Sequence, residues 1–241
     1  MGAAIVTGGA GHLGAAIVRA LVARGWRVTV LDHPGPALDA IGAEPDVTAL
    51  PCDLADAAAT DGAFDIAWAG GPVPVLVNAV GRIHSAPLVN PLARRRHSAE
   101  EWRATLEANL TTVFLATAAQ ADRMVASRTR GVVVSLSSVA AAGNAGQSAY
   151  AAAKAGVNAA TLAWAKELGP LGIRFVAVAP GFIDTPSTRA ALAESVLKEW
   201  QRRIPLRRLG LAEEVAAAVL FAVDNGHLSG KVLEIDGGLT I

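Results

Sequence analysis

Apolar runs rich in β-branched residues recur along the chain, separated by longer stretches with helical spacing. The runs Ala3–Thr7, Arg27–Leu31, Val47–Pro51, Val73–Asn78, Gly131–Ser135, Ile173–Ala179 and Lys231–Ile235 read as strands. Several are apolar throughout, as expected of parallel strands covered on both faces. Helical patterns lie between them, at about His12–Arg24, Ala55–Trp68, Ala99–Ala126, Ala149–Leu168 and Ala212–Val223. Ser98-Ala99-Glu100-Glu101 has the capping-box form and marks a helix start. This alternation implies βαβ units and an α/β fold on a doubly wound sheet.

Two segments break the alternation. Arg82–His97 carries Pro87, Pro91 and the basic run Arg94-Arg95-Arg96. Phe182–Leu209 is charged and amphipathic, and reads as a substrate loop or lid. Its helical part, near Arg189–Arg203, has Leu192, Val196 and Leu197 at helical spacing. Packing explains that stripe as well as substrate contact does. Both segments follow carboxyl ends of strands, where open α/β sheets bind ligands.

Composition narrows the class. With 241 residues, 52% of them hydrophobic, the chain suits one α/β domain over residues 1–241. No internal repeat divides it. Its 21 basic and 21 acidic residues balance, so no global field favours nucleic acid or an acidic membrane, and a small-molecule substrate is expected. Cys52 is the one cysteine; it reads as a small buried hydrophobe in a chain suited to a reducing compartment. No targeting segment is visible, and no run approaches the roughly 18 to 20 apolar residues of a membrane span. A cytoplasmic protein is the expectation. No metal site is expected.

Thr7-Gly8-Gly9-Ala10-Gly11-His12-Leu13-Gly14 follows the first strand and opens the first helix. Glycines permit a tight turn and close approach to a pyrophosphate, and the helix N-terminus offers free N–H groups and a positive dipole end. Asp32 ends the second strand, 18 residues past Gly14. A carboxylate there can accept hydrogen bonds from ribose hydroxyls and would repel a 2′-phosphate, which argues for NAD(H). The bland alternative for Asp32 is a solvated strand-end acid. Asp53, after the third strand, could reach an adenine amino group or could cap the next helix.

Tyr150-Ala151-Ala152-Ala153-Lys154 lies in a helical pattern, so phenol and ammonium share a face. An adjacent cation favours the phenolate and is expected to lower a phenol pKa that is near 10 in isolation. Alone, the pair would usually be a surface pair. Here it holds the only tyrosine of the chain, in an Ala-rich helix just after a serine-ended strand.

The chain resembles the short-chain dehydrogenase/reductase family in its short, single-domain, 3-oxoacyl-reductase-like branch. The likeness runs its full length: the turn at 7–14, Asp32, Asp53, Asn78-Ala79-Val80-Gly81, Asn109, Ser137-Ser138-Val139, Tyr150 with Lys154, Pro180-Gly181 and Asp236-Gly237-Gly238. It implies a Rossmann-type parallel sheet of seven strands flanked by helices. It implies that Tyr150 is general acid or base, that Lys154 tunes it and binds the nicotinamide ribose, and that a serine holds the substrate oxygen. Asn109 would hold a water of a proton relay. From the residues alone, Asn109 reads as a helix kink or a satisfied core amide. The cofactor set implied is Gly8, Gly11, His12, Leu13, Gly14, Asp32, Asp53, Leu54, Asn78, Gly81, Tyr150, Lys154, Pro180, Gly181, Ile183 and Thr185. A homotetramer is implied as well.

The serine is either Ser138, by register from the glycine that starts the strand, or Ser137, by spacing to Tyr150. Strand register is the tighter constraint and selects Ser138. His12 departs from the branch's usual glycine and gives an epimerase-like reading of the turn, but the chain ends soon after Gly238, as the short branch does. Ala79 replaces a usual asparagine. For substrate, a 3-oxoacyl thioester, a polyketide-like ketone and a small cyclic alcohol stay open. Arg94–Arg96 reads as a solvated run or as an attractor for a phosphopantetheine, coenzyme A or acidic carrier. Leu171, where carrier-protein reductases often have a basic residue, weakens the carrier reading; Arg128 and Arg130 partly restore it. Outside catalysis, the alternative is a silent nucleotide-binding regulator on the same fold.

Overall fold

The computed structural model describes residues 2–191 and 194–239. Seven strands form one wholly parallel sheet: β1 (Ala3–Thr7), β2 (Arg27–Asp32), β3 (Val47–Pro51), β4 (Val75–Asn78), β7 (Gly131–Leu136), β8 (Ile173–Pro180) and β9 (Lys231–Ile235). Their spatial order is β3-β2-β1-β4-β7-β8-β9. The order reverses between β1 and β4, which creates a crevice beyond the carboxyl ends of those two strands. Seven parallel strands between helical layers are the expected Rossmann-type α/β architecture.

Period-2 alternation divides the strand side chains between two cores. Val6, Val30, Val77, Val134 and Val178 face α1 (His12–Val22) and α9 (Ala212–Asp224). Ile5, Leu31, Leu76, Val133 and Phe175 face the other layer. That layer holds Phe64 of α3 (Ala57–Trp68), Met124 of α5 (Thr112–Ala126) and Trp164 of α6 (Ser148–Leu168). Both faces are therefore buried, which is why the strands are apolar at successive positions.

Three local features depart from the sequence expectation. A short helix, α2 (Pro36–Gly42), stands where no element was expected; Pro36 begins it, and Leu38 and Ile41 face the core. The long helix expected over 99–126 is interrupted: α4 (Ala99–Leu106) passes into a π turn, Glu107–Thr111, before α5. A two-residue-per-strand antiparallel hairpin, β5 (Val89–Asn90) with β6 (Arg95–Arg96), lies within the segment 82–97.

The segment 182–209 contains α7 (Pro186–Ala191) and α8 (Glu194–Arg203). Leu197, Ile204, Leu209 and Leu239 form a small core of their own, with the Phe182 and Trp200 rings stacked at 4.1 Å. Leu197 therefore serves packing, and Leu192 lies outside the described residues. Among the described residues no helix is long and apolar enough to cross a membrane.

Candidate active site

The turn between β1 and α1 needs its glycines. Gly8 has φ +67°, and a Cβ there would come within 2.5 Å of the Val80 backbone nitrogen. A Cβ on Gly14 would lie 2.1 Å from the Gly8 carbonyl oxygen. Gly11 caps α1 with no side chain, so the first-turn amides of His12, Leu13 and Gly14 gain no side-chain acceptor. An anion is the natural partner of such amides. Asp32 fixes the turn from β2: its carboxylate accepts from the Ala10 amide at 3.0 Å and the His33 amide at 2.8 Å. It borders a cleft of about 320 Å³ with Ala10, Gly11, His33, Pro34 and Gly35. A close-approach turn, unclaimed helix amides and an acid at the rim fit the phosphate and ribose parts of a dinucleotide.

Other members of the expected cofactor set divide by burial. Leu54 is buried in the core cluster that also holds Cys52 and Phe64. Asn78 is also buried. Its Nδ2 donates to Thr117 Oγ1 at 3.0 Å and Ser135 Oγ at 3.2 Å, and its Oδ1 accepts from Thr7 Oγ1 at 3.3 Å. Asn78 thus ties β1, β4, β7 and α5 together at the switch point. Asp53 is exposed and accepts from the Ala55 amide at 3.0 Å. The α3 cap is Asp56, whose carboxylate accepts from Ala59, so the capping alternative for Asp53 is overturned.

The catalytic candidates converge beyond β4 and β7. The hydroxyl of Ser138 lies beside the phenol of Tyr150, close enough to help hold its pKa down. Ser138 also caps a 3₁₀ turn, Val139–Ala142, by accepting from Ala140 at 3.2 Å. Ser137 points the other way: it is buried and donates to the Lys154 carbonyl oxygen at 3.2 Å. Lys154 is buried, donates from Nζ to the Leu136 carbonyl oxygen at 2.8 Å, and lies 5.7 Å from the centre of the Tyr150 ring. Burial lowers its pKa to about 8.

The net shift of the Tyr150 phenol is upward. Burial pushes the phenol up, and the Ser138 hydroxyl pulls it only part of the way back. The ammonium of Lys154 is directed at the Leu136 carbonyl.

Asn109 sits in the π turn, wholly buried. Its Nδ2 donates to Thr105 O and Arg82 O, both at 2.9 Å, and its Oδ1 accepts from Arg82 N at 3.1 Å. Taking the carbonyl four residues back displaces the ordinary helical bond there, which accounts for the widened turn. A Cβ on Gly81 would come within 2.7 Å of Asn109 Oδ1 and 3.3 Å of Lys154 Nζ. Glycine at 81 is therefore what lets these two side chains meet the loop. Arg82 was not foreseen; only its backbone acts, so no residue-type signal marks it.

On the far side, Pro180 ends β8, and Gly181 donates its amide to Ile235 O at 2.9 Å. Ile183 is buried and bridges Gly210. Thr185 is buried and its hydroxyl accepts from the Thr188 amide at 3.0 Å, opening α7. His12, exposed at the start of α1, lies close enough to Asp184 to help lower its pKa, after the dominant effect of the Arg189 hydrogen bond. Arg189 reaches both Asp184 oxygens at 2.6 Å. Arg94, Arg95 and Arg96 are exposed and form no ion pair among the described residues.

Sheet order, glycine turn and the Ser-Tyr-Lys group together define a nicotinamide-dependent oxidoreductase acting on hydroxyl or keto groups. The chain belongs to the short-chain dehydrogenase/reductase family. A family model described as enoyl-(acyl carrier protein) reductase matches residues 8–240. The chain is 44% identical over 174 residues to a 3-oxoacyl-(acyl-carrier-protein) reductase of Thermotoga maritima, covering 71% of this chain and 68% of that protein. It is 34% identical to the (3R)-3-hydroxyacyl-CoA dehydrogenase of Canis lupus familiaris, covering 98% and 95% respectively. Among solved structures, a 3-hydroxyacyl-CoA dehydrogenase type-2 from Mycobacterium avium superposes with TM-score 0.90 at 30% identity, over 100% of this chain and 96% of the other.

Proposed function

We propose that this protein is an NAD(H)-dependent oxidoreductase that interconverts a 3-oxoacyl thioester and its 3-hydroxy form, with Tyr150 as general acid or base. The observation that carries the reading is the placement of the Ser138 hydroxyl beside the buried Tyr150 phenol, close enough to help hold its pKa down, next to the buried Lys154 ammonium. In reduction, Ser138 donates to the substrate carbonyl oxygen and Tyr150 transfers its proton to that oxygen as the C–O π bond becomes an alkoxide. Nicotinamide, when bound, supplies or accepts the hydride at the carbonyl carbon. The Lys154 cation then stabilises the phenolate left behind. Burial keeps the phenol protonated, which suits the reducing direction. Asn109 holds the Arg82 loop against Lys154 and would position a water for reprotonation.

Asp32 supports the NAD(H) assignment, since its carboxylate at the cleft rim repels a 2′-phosphate. Both reductase and dehydrogenase relatives bear names of three-position acyl thioester chemistry. Exposed Trp102, Phe114 and Leu162 on α4, α5 and α6 support a homotetramer. A buried lone thiol at Cys52 suits a cytoplasmic setting.

A panel of a 3-oxoacyl coenzyme A, a carrier-bound 3-oxoacyl thioester and a cyclic ketone, each with NADH and NADPH, tests the reading. Thioester turnover with NADH favoured is the expected result. Turnover of the cyclic ketone alone would favour a dehydrogenase of small cyclic alcohols. No turnover with either cofactor would favour a nucleotide-binding regulator. NADPH preference would contradict the role of Asp32.

A further inference from the structure

His84, His97 and Glu101 converge in the substrate-side region, outside the catalytic group. One ligand atom from each lies within 4.8 Å of the others. His84 is in the loop after β4, His97 immediately precedes Ser98, the cap of α4, and Glu101 is in the first turn of that helix. Three imidazole nitrogens here, His84 Nε2 and both of His97, are buried with no hydrogen-bond partner among the described residues. Buried polar atoms are rarely left in that state. Glu101 is also free to act: the Ser98 hydroxyl caps Glu100 and Glu101, but the returning half of the capping box, from the Ser98 amide to Glu101, does not form. The carboxylate turns to His84 instead, with Oε2 3.5 Å from Nε2. Two ligands of a tetrahedral zinc at bond lengths of about 2.1 Å are about 3.4 Å apart.

We propose that His84, His97 and Glu101 form a site for a divalent transition-metal ion, Zn²⁺ being the reference ion. Two imidazole nitrogens and one carboxylate oxygen leave a fourth position for water. The rings are 5.4 Å apart and tilted by 39°, a separation that small rotations convert to shared coordination. The supports are fixed. His97 donates its amide to Leu88 O at 3.0 Å, closing the hairpin, and Trp102 meets the His97 ring edge-on at 6.1 Å. Ser85, next to His84, accepts from Gln147 Nε2 at 3.0 Å. Arg95 and Arg96 are near but exposed, so water screens their repulsion of a cation. A bound ion would staple the loop 82–97 to α4, which runs directly into the Asn109 turn. The site is independent of the redox reading.

The test is a titration of the untagged full chain, first stripped with a chelator. Cobalt(II) is followed by visible absorption, then competed with Zn²⁺, and melting temperature is recorded with and without Zn²⁺. One equivalent per chain, displaced by Zn²⁺ and accompanied by a higher melting temperature, is expected. His97→Ala and Glu101→Gln should each weaken binding by more than about tenfold and remove the Zn²⁺-induced shift, while His227→Ala leaves both intact. Glu101 is half-exposed, so its variant tests the site even if His97→Ala folds poorly. No saturable band, an unshifted wild-type melt, or unchanged binding in Glu101→Gln would overturn the site and leave an ordinary His84–Glu101 ion pair.

Discussion

The Ser138 hydroxyl lies beside the phenol of Tyr150 and helps hold its pKa down, while Ser137, one residue earlier, turns away and donates to the Lys154 backbone. Neighbouring residues leaving a strand face opposite sides, so the two hydroxyls have separate tasks. Ser138→Ala should lower kcat for ketone reduction by about a hundredfold. Ser137→Ala should leave kcat within roughly threefold and cost about 1 kcal/mol of stability. Steady-state kinetics and urea unfolding of the two variants would separate them; the reverse pattern would favour Ser137 as the substrate serine.

Lys154 carries a stability cost with a defined pH window. Its pKa is about 8 folded against 10.5 for an ordinary lysine, so between these values the unfolded chain binds more protons and stability from this group rises with pH. Below about 8 the full cost of a buried charge is present. Lys154→Met should therefore be at least as stable as wild type at pH 7, with the difference narrowing toward pH 10.5, although it is inactive. Urea unfolding at both pH values measures this.

Loss of the same proton should affect turnover. For ketone reduction, kcat/KM should fall as pH rises through about 8, because the cation that stabilises the phenolate disappears. A profile flat from pH 7 to 9.5 would count against Lys154 in that role.

Asp32→Asn removes the rim charge while keeping an acceptor for the Ala10 amide. The NADPH-to-NADH ratio of kcat/KM should rise at least about tenfold, equivalent to about 1.4 kcal/mol. Kinetics with both cofactors read it directly.

Strands and glycine turn were legible because their causes are local: period-2 burial on both faces, and glycine where a Cβ would strike Gly8 O or Val80 N. The α2 helix was hidden because Pro34-Gly35-Pro36 reads as loop, although proline is well tolerated in a first helical turn. The π turn was hidden because it depends on Asn109 bonding Thr105 and the distant Arg82 at once. The four-element hydrogen-bond network of Asn78 exists only after the sheet assembles. The His84, His97 and Glu101 group could not be seen because a hairpin brings His84 back to His97 across 13 positions. The sign of the Tyr150 shift depends on burial, which spacing alone does not reveal.

The most direct test of the account is Tyr150→Phe, assayed for single-turnover reduction of an accepted 3-oxoacyl thioester alongside NADH binding. The reduction rate should fall by about 10²- to 10⁴-fold while NADH affinity stays within roughly threefold. Unchanged turnover on every ketone the wild type accepts would contradict Tyr150 as the proton donor.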